Sequence, residues 1–133
     1  MKFRVILPKT AAASSGATCP IRVIEGDSDR EVGWINRYLD REYVCRLALT
    51  SLRIYAFNLL HFVRWWGSVH HTAEITRADL SESTLLDYIL FQSAQEPRPS
   101  AATINERVAD VAGTASQAAL WRVVRGPVRC AAL

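Results

Sequence analysis

The segment Ser51–Trp66, SLRIYAFNLLHFVRWW, holds eleven apolar residues and only two charged ones. Within it Leu52, Tyr55, Ala56, Leu59, Phe62, Val63 and Trp66 recur at i, i+3, i+4 and i+7, the period of one helix face. Ile54, Phe57, Leu60 and Trp65 fall outside that stripe, so the predicted helix touches neighbours on several sides. Each large side chain buried contributes about 1.5–3 kcal/mol, so this helix supplies a good share of the core's driving force. Thr50 or Ser51 is the expected cap and Gly67 the expected stop. Arg53 and Arg64 lie eleven positions apart, which puts them on one side of the helix about three turns from each other. The run is too short for a membrane span and carries both arginines inside it.

The rest of the chain arranges itself around that helix. Residues 1–27 read as an N-terminal arm with two short β-like pieces, FRVIL and IRVIE, joined by the small-residue loop AAASSGATCP. Two strands alone are marginally stable. The arm is either a hairpin docked on something or an extended segment, and the extended segment is slightly favoured. Ser28-Asp29-Arg30-Glu31 has the spacing of a capping box. It precedes a helix with Val32, Ile35 and Leu39 on one face, continuing irregularly through Val44 and Leu47. Thr76-Arg77-Ala78-Asp79 repeats the capping signal ahead of Leu80, Leu85, Leu86, Tyr88, Ile89 and Leu90, a third helix ending near Gln92. Pro97 and Pro99 break the chain. Ser100 then caps a fourth helix with Ile104, Val108 and Val111 at helical spacing. Past Gly113 the pattern weakens, and residues 113–133 read as a tail.

A length of 133 residues allows one domain with tails and leaves no room for two full cores. Half the residues are apolar and 22% are charged, which excludes a disordered chain. The formal charge of +3 permits nucleic acid or an acidic surface as partner without demanding either. Cys19, Cys45 and Cys130 form neither a CxxC pair nor a disulfide framework, so reduced thiols in a cytoplasm are the expectation. The apolar run at the N-terminus stops at Pro8 and Lys9, too short for a signal peptide. The sequence reads as soluble and cytoplasmic.

Chemistry-bearing constellations are sparse. Adjacent His70 and His71, with His61 nearby, lack a Cys, Asp or Glu at ligand spacing, so neither a metal nor another cofactor is expected. No GxSxG elbow, Cys–His signature, HExxH or phosphate-cradling glycine loop occurs. Acid pairs such as Asp27/Asp29 and Glu82/Asp87 suit helix starts, where negative charge meets the positive end of the macrodipole. Trp34, Tyr38, Tyr55, Phe62, Trp65 and Trp66 offer a stacking platform for single-stranded bases, but their helical spacing favours a core. The basic residues carry more information. Arg41, Arg46, Arg53 and Arg64 are accompanied by one acid, Glu42, and the tail adds Arg122, Arg125 and Arg129 with none. Arginine is well suited to phosphate, and helix starts at Ser51 and Ser100 can present backbone N–H groups to it.

The order of these elements resembles the N-terminal core-binding (SAM-like) domain of tyrosine recombinases, the phage-integrase and Xer-type enzymes. The resemblance rests on TSLRIYAFNLLHFVRWW, then EITRADL leading to LLDYILFQ, then a Pro-rich break and PSAATINERV, and it covers residues 31–112. Ser51, Tyr55-Ala56, Leu59, Phe62 and Trp66 match the family's second helix. Ser100, Thr103-Ile104-Asn105 and Arg107 match its fourth. The resemblance implies an all-α, orthogonal four-helix bundle over residues 28–112, forming half of a clamp around duplex DNA, with the second and fourth helices facing it. By position it nominates Arg53, Thr103, Asn105 and Arg107 as DNA contacts, with Arg64 and Arg46 as neighbours of phosphate. Capping at a helix start is an equally simple role for Thr103 and Asn105.

Two departures stand out. Glu106 sits where the family often carries a basic residue, and the family's helix beyond Val111 is replaced by AGTASQAAL. The catalytic set the family implies, an Arg, a Lys, a His-x-x-Arg, a further His or Trp and a Tyr nucleophile, belongs to a domain this sequence lacks. His61-Phe62-Val63-Arg64 spells His-x-x-Arg, but inside the central helix of the binding bundle. The expectation is therefore a truncated, non-catalytic domain of a mobile-element recombinase. Its partners would be double-stranded DNA and other recombinase protomers, with no membrane and no small-molecule substrate. A helical protein–protein module that modulates a full recombinase, with Phe57, Leu60 or Trp65 as its patch, is the alternative. A decayed fragment without function is the third.

Overall fold

Alternating apolar residues in FRVI and RVIE form two strands, β1 (Phe3–Ile6) and β2 (Arg22–Glu25). They pair antiparallel, with Phe3 opposite Glu25, Arg4 opposite Ile24, Val5 opposite Val23 and Ile6 opposite Arg22. The structure, a computed structural model, describes residues 2–6, 20–26, 28, 30–40, 44 and 47–115. It is mostly helical. The described residues fall into two compact units that divide between Glu74 and Ile75.

In the first unit the N-terminal segment is a docked hairpin and not an extended arm. Phe3, Ile21, Val23 and Ile24 are buried, which supplies the apolar support a lone two-stranded ribbon needs. Helix α1 (Gly33–Leu39) buries Trp34, Ile35, Tyr38 and Leu39, and helix α2 (Leu49–His70) runs beside it. β1 packs on α2, and β2 on both helices.

The outer edge of β2 is closed by side-chain and loop groups. The Asn36 amide accepts from the Val23 N–H at 2.9 Å and donates to the Val23 carbonyl at 3.1 Å. The same carbonyl accepts from the Val32 N–H at 3.0 Å, and the Glu25 N–H donates to the Arg30 carbonyl at 2.8 Å. Arg22, itself buried, donates to Asp40 at 2.8 Å and lies 3.5 Å from Glu31. These contacts explain why the expected capping box does not form. Glu31 bridges to Ile24 and faces Arg22, so α1 starts at Gly33 behind Val32 with no side-chain cap.

Helix α2 bears out the long apolar stripe. Leu52, Ala56, Leu59, Phe62, Val63 and Trp66 are buried, and Tyr55 is half-buried. Phe62 is the hub of the aromatic core, with Trp34 edge-on at 5.9 Å, Trp65 tilted at 5.6 Å and Trp66 stacked at 6.2 Å. The aromatic residues therefore pack as core, with Tyr38 edge-on to Tyr55 at 6.4 Å. Gly67 does not stop the helix. It is buried within it, and the helix ends a turn later at His71, whose φ of 58° is left-handed and whose N–H returns to the Gly67 carbonyl. Beyond that turn the Trp34 and Trp66 indoles donate to the carbonyls of Ala73 and Glu74, at 2.9 and 3.1 Å.

The second unit contains α3 (Glu82–Ser93) and α4 (Ala101–Ala115), which pack on each other. Thr76 and Asp79 do cap one another reciprocally, at 2.9 to 3.3 Å. They close the turn that precedes α3, whose own cap is Ser81, accepting from the Thr84 N–H. Ser100 caps α4 as expected, accepting from the Thr103 N–H at 3.1 Å. Leu85 and Tyr88 from α3 are buried, as are Ile104, Val108 and Val111 from α4. Helix α4 continues through Gly113 to Ala115. Among the described residues no helix is long and apolar enough to cross a membrane. Arg41, Arg46, the three cysteines and the tail from residue 116 onward lie outside the described residues.

Candidate nucleic-acid interface

The twenty-two residues of α2 include Arg53 and Arg64 and no Asp or Glu. Eleven residues at the helical rise separate the two arginines by about 16 Å along the axis. Both meet the same strand. The Arg64 guanidinium is exposed but donates to the Phe3 carbonyl at 3.1 Å. Arg53 is exposed at the other end of β1, beside Val5 and Ile6. With Ile21 and Phe57 these residues line an open cavity of about 240 Å³. Arg53 has no hydrogen bond or ion pair among the described residues. Lys2 and Arg4 on the hairpin are exposed as well. Arg4 shares a strand face with Ile6, one of the residues lining the cavity.

The local sequence accounts for this arrangement. Arg53 and Arg64 break the apolar pattern of α2, and the helical period then turns both toward one flank. The hairpin meets that flank because Phe3 alternates with charged Lys2 and Arg4 and must be buried. The sequence reading missed the contribution of Lys2 and Arg4, although their alternation with Phe3 and Val5 was the available signal. It also missed Asn36 and Arg22, whose partners lie 13 and 18 positions away in sequence.

In the second unit Thr103, Asn105 and Arg107 all lie on α4. Thr103 serves the cap, because its N–H donates to the Ser100 hydroxyl and its own hydroxyl accepts from Ser100 at 3.0 Å. Asn105 is half-buried. Arg107 is half-buried too, and its guanidinium donates to the side-chain oxygen of Gln92 at 3.1 Å. Gln92 is fully buried, and its amide lies 3.5 Å from the Tyr88 carbonyl. This makes Arg107 a tie between α4 and α3. Burial pushes the Tyr88 phenol far above its usual range; Arg107 opposes that shift and Asp110 adds to it.

Among the described residues no group of three His, Cys, Asp or Glu side chains is placed to hold a metal ion. His70 stacks on Trp66 with ring centres 3.7 Å apart. Ile54 and Phe57 remain more than half exposed, whereas Leu60 and Trp65 are buried at 3% and 8%. Leu60 and Trp65 are therefore core residues and drop out of any surface patch. Compared with family models, curated proteins and solved structures, the chain matches none.

Proposed function

We propose that this chain binds duplex DNA in the manner of a tyrosine-recombinase core-binding domain, through arginine–phosphate contacts centred on α2. The observation that carries this reading is the acid-free α2 surface, with an exposed Arg53, unpartnered among the described residues, at one end and Arg64 at the other. Their axial separation of about 16 Å equals the rise of about five base pairs of B-form DNA. In this reading α1 to α4 are the four helices of a SAM-like bundle, and the hairpin extends the cationic surface of α2 with Lys2 and Arg4. Thr103, Asn105 and Arg107 on α4 are a second contact set, with Thr103 and Arg107 also holding the local structure. Arg46 belongs to the proposal through the family resemblance alone. The proposal assigns DNA binding to these residues and no catalysis.

Phosphate contacts position a protein on DNA, while base contacts confer specificity. A surface made mainly of arginine should therefore bind with little sequence preference. Fluorescence anisotropy with a labelled duplex at two salt concentrations tests this. Binding at low salt that weakens steeply at higher salt supports it; binding that is absent at low salt, or indifferent to salt, refutes it.

The exposure of Ile54 and Phe57, at 51% and 55%, supports a second reading as a protein-interaction module. Apolar residues adjacent on a helix face, at i and i+3, form such a patch. Size-exclusion chromatography with light scattering separates the two. Concentration-dependent association without DNA affinity favours the interaction module.

A further inference from the structure

The two edges of the β-hairpin are finished very differently. On β2 both outward-pointing groups of Val23 and the N–H of Glu25 are taken up by Asn36, Val32 and Arg30. On β1 the register decides which groups point outward. The Gly26 N–H donates to the Lys2 carbonyl at 2.7 Å, so Lys2 belongs to a hydrogen-bonded pair. By the alternation of an antiparallel ladder, Arg4 and Ile6 do as well, and Phe3 and Val5 direct their N–H and C=O groups away from β2. The Phe3 carbonyl is capped by Arg64. The Val5 N–H and C=O have no partner among the described residues, and beside them lies the cavity lined by Val5, Ile6, Ile21, Arg53 and Phe57.

We propose that this edge of β1, open among the described residues, accepts an extended, acidic segment of a partner protein as an added strand. Main-chain bonds to Val5 would anchor it, an apolar side chain would enter the cavity, and a carboxylate would meet Arg53. The charges choose the occupant. Pairing β1 with a second copy of itself would gather Lys2, Arg4 and Arg53 of both copies along one edge, and like charges brought close across a strand pair are destabilising. An acidic strand replaces that repulsion with attraction to Lys2, Arg4 and Arg53. Strand addition of this kind draws affinity from main-chain bonds and specificity from alternate side chains. The open stretch is short, so the interaction is weak and depends on the charge match. The inference goes beyond DNA binding: it shares Arg53 with that reading and adds a group that reading does not use, the Val5 backbone.

Isotope-labelled protein titrated with the peptide Asp-Val-Thr-Val-Asp, up to about 1 mM at the weak end of specific binding, tests it directly. The amide signal of Val5 should move most and become protected from exchange. The matched peptide Lys-Val-Thr-Val-Lys should bind at least tenfold more weakly, and Arg53→Glu should reverse that preference. Val5→Pro removes the outward N–H while leaving the Lys2, Arg4 and Ile6 ladder bonds in place, as proline does on an edge strand. It should cost at least tenfold in peptide binding with duplex-DNA affinity unchanged, which separates failure of this inference from failure of the DNA reading. No shift at Val5, equal binding of the two peptides, or undiminished binding to folded Val5→Pro overturns the proposal. So does saturable self-association through the same edge.

Discussion

Replacing Asn36 by alanine should unfold the first unit more readily than its conservative size change suggests. Asn36 is 3% exposed and Val23 fully buried, so water cannot replace the lost amide. The Val23 N–H, now bonded at 2.9 Å, would be left without an acceptor, at a cost of about 1–3 kcal/mol for a buried unsatisfied group. The Val23 carbonyl would lose its 3.1 Å bond but keep the Val32 N–H at 3.0 Å, which limits that loss to about 0.5–1.5 kcal/mol. Together the change should destabilise by about 2–4 kcal/mol, within the range reserved for broken buried networks. Three of the four tryptophans, Trp34, Trp65 and Trp66, lie in this unit, so tryptophan fluorescence during urea unfolding, with Trp121 replaced by phenylalanine, reads it. The midpoint should fall with an unchanged slope. A loss below about 0.5 kcal/mol, the scale of ordinary surface substitutions, would refute the idea that Asn36 holds the hairpin to α1.

Three further substitutions or conditions probe other parts of the account. Arg107→Met should destabilise the second unit by about 1–3 kcal/mol, because the buried Gln92 oxygen loses its donor, measurable as faster amide exchange in α3 and α4; unchanged exchange would remove Arg107 as a tie. Tyr88 should remain protonated in alkali where a free tyrosine has ionised. Its folded pKa lies above the unfolded value of about 10. The resulting stability is fully present below pH about 10 and is lost as pH rises beyond it; an absorbance titration, compared with that of Tyr88→Phe, that places the Tyr88 ionisation at the free value of about 10 would contradict this. His71→Gly should stabilise α2 by about 1 kcal/mol, since glycine adopts the left-handed conformation at φ 58° without the steric cost borne by histidine; a lowered melting temperature would show that the His71 side chain compensates for its backbone.

What could be read from the sequence was what depends on near neighbours. The stripe of α2, the Ser100 cap and the Ile104–Val108–Val111 face are local patterns, and periodicity alone revealed them. The end of α2 was misjudged because Gly67 is a poor helix former only where nothing packs on it, and here it is buried in the core. The capping box at Ser28 was misread because Glu31 is drawn to Ile24 and Arg22, residues of a strand that only the folded chain brings near. The same distinction runs through the candidate interface. Arg53 and Arg64 stood out as charges within an apolar helix, and their shared flank followed from the helical period. The Arg64 contact with Phe3 and the tie from Arg107 to Gln92 span 61 and 15 positions, beyond any local rule. Thr103 was visible both as a candidate contact and as a cap partner, and its hydrogen bonds to Ser100 show the second role.

The measurement that bears most directly on the proposed function is the salt dependence of duplex binding for the native protein and for Arg53→Ala. Each phosphate neutralised contributes about 0.9 to the slope of log affinity against log salt. If Arg53 contacts a phosphate, its removal should lower that slope by about 0.9 and weaken binding uniformly across duplex sequences, with the urea midpoint unchanged. An unaltered slope in a folded variant would contradict the assignment of this helix to DNA.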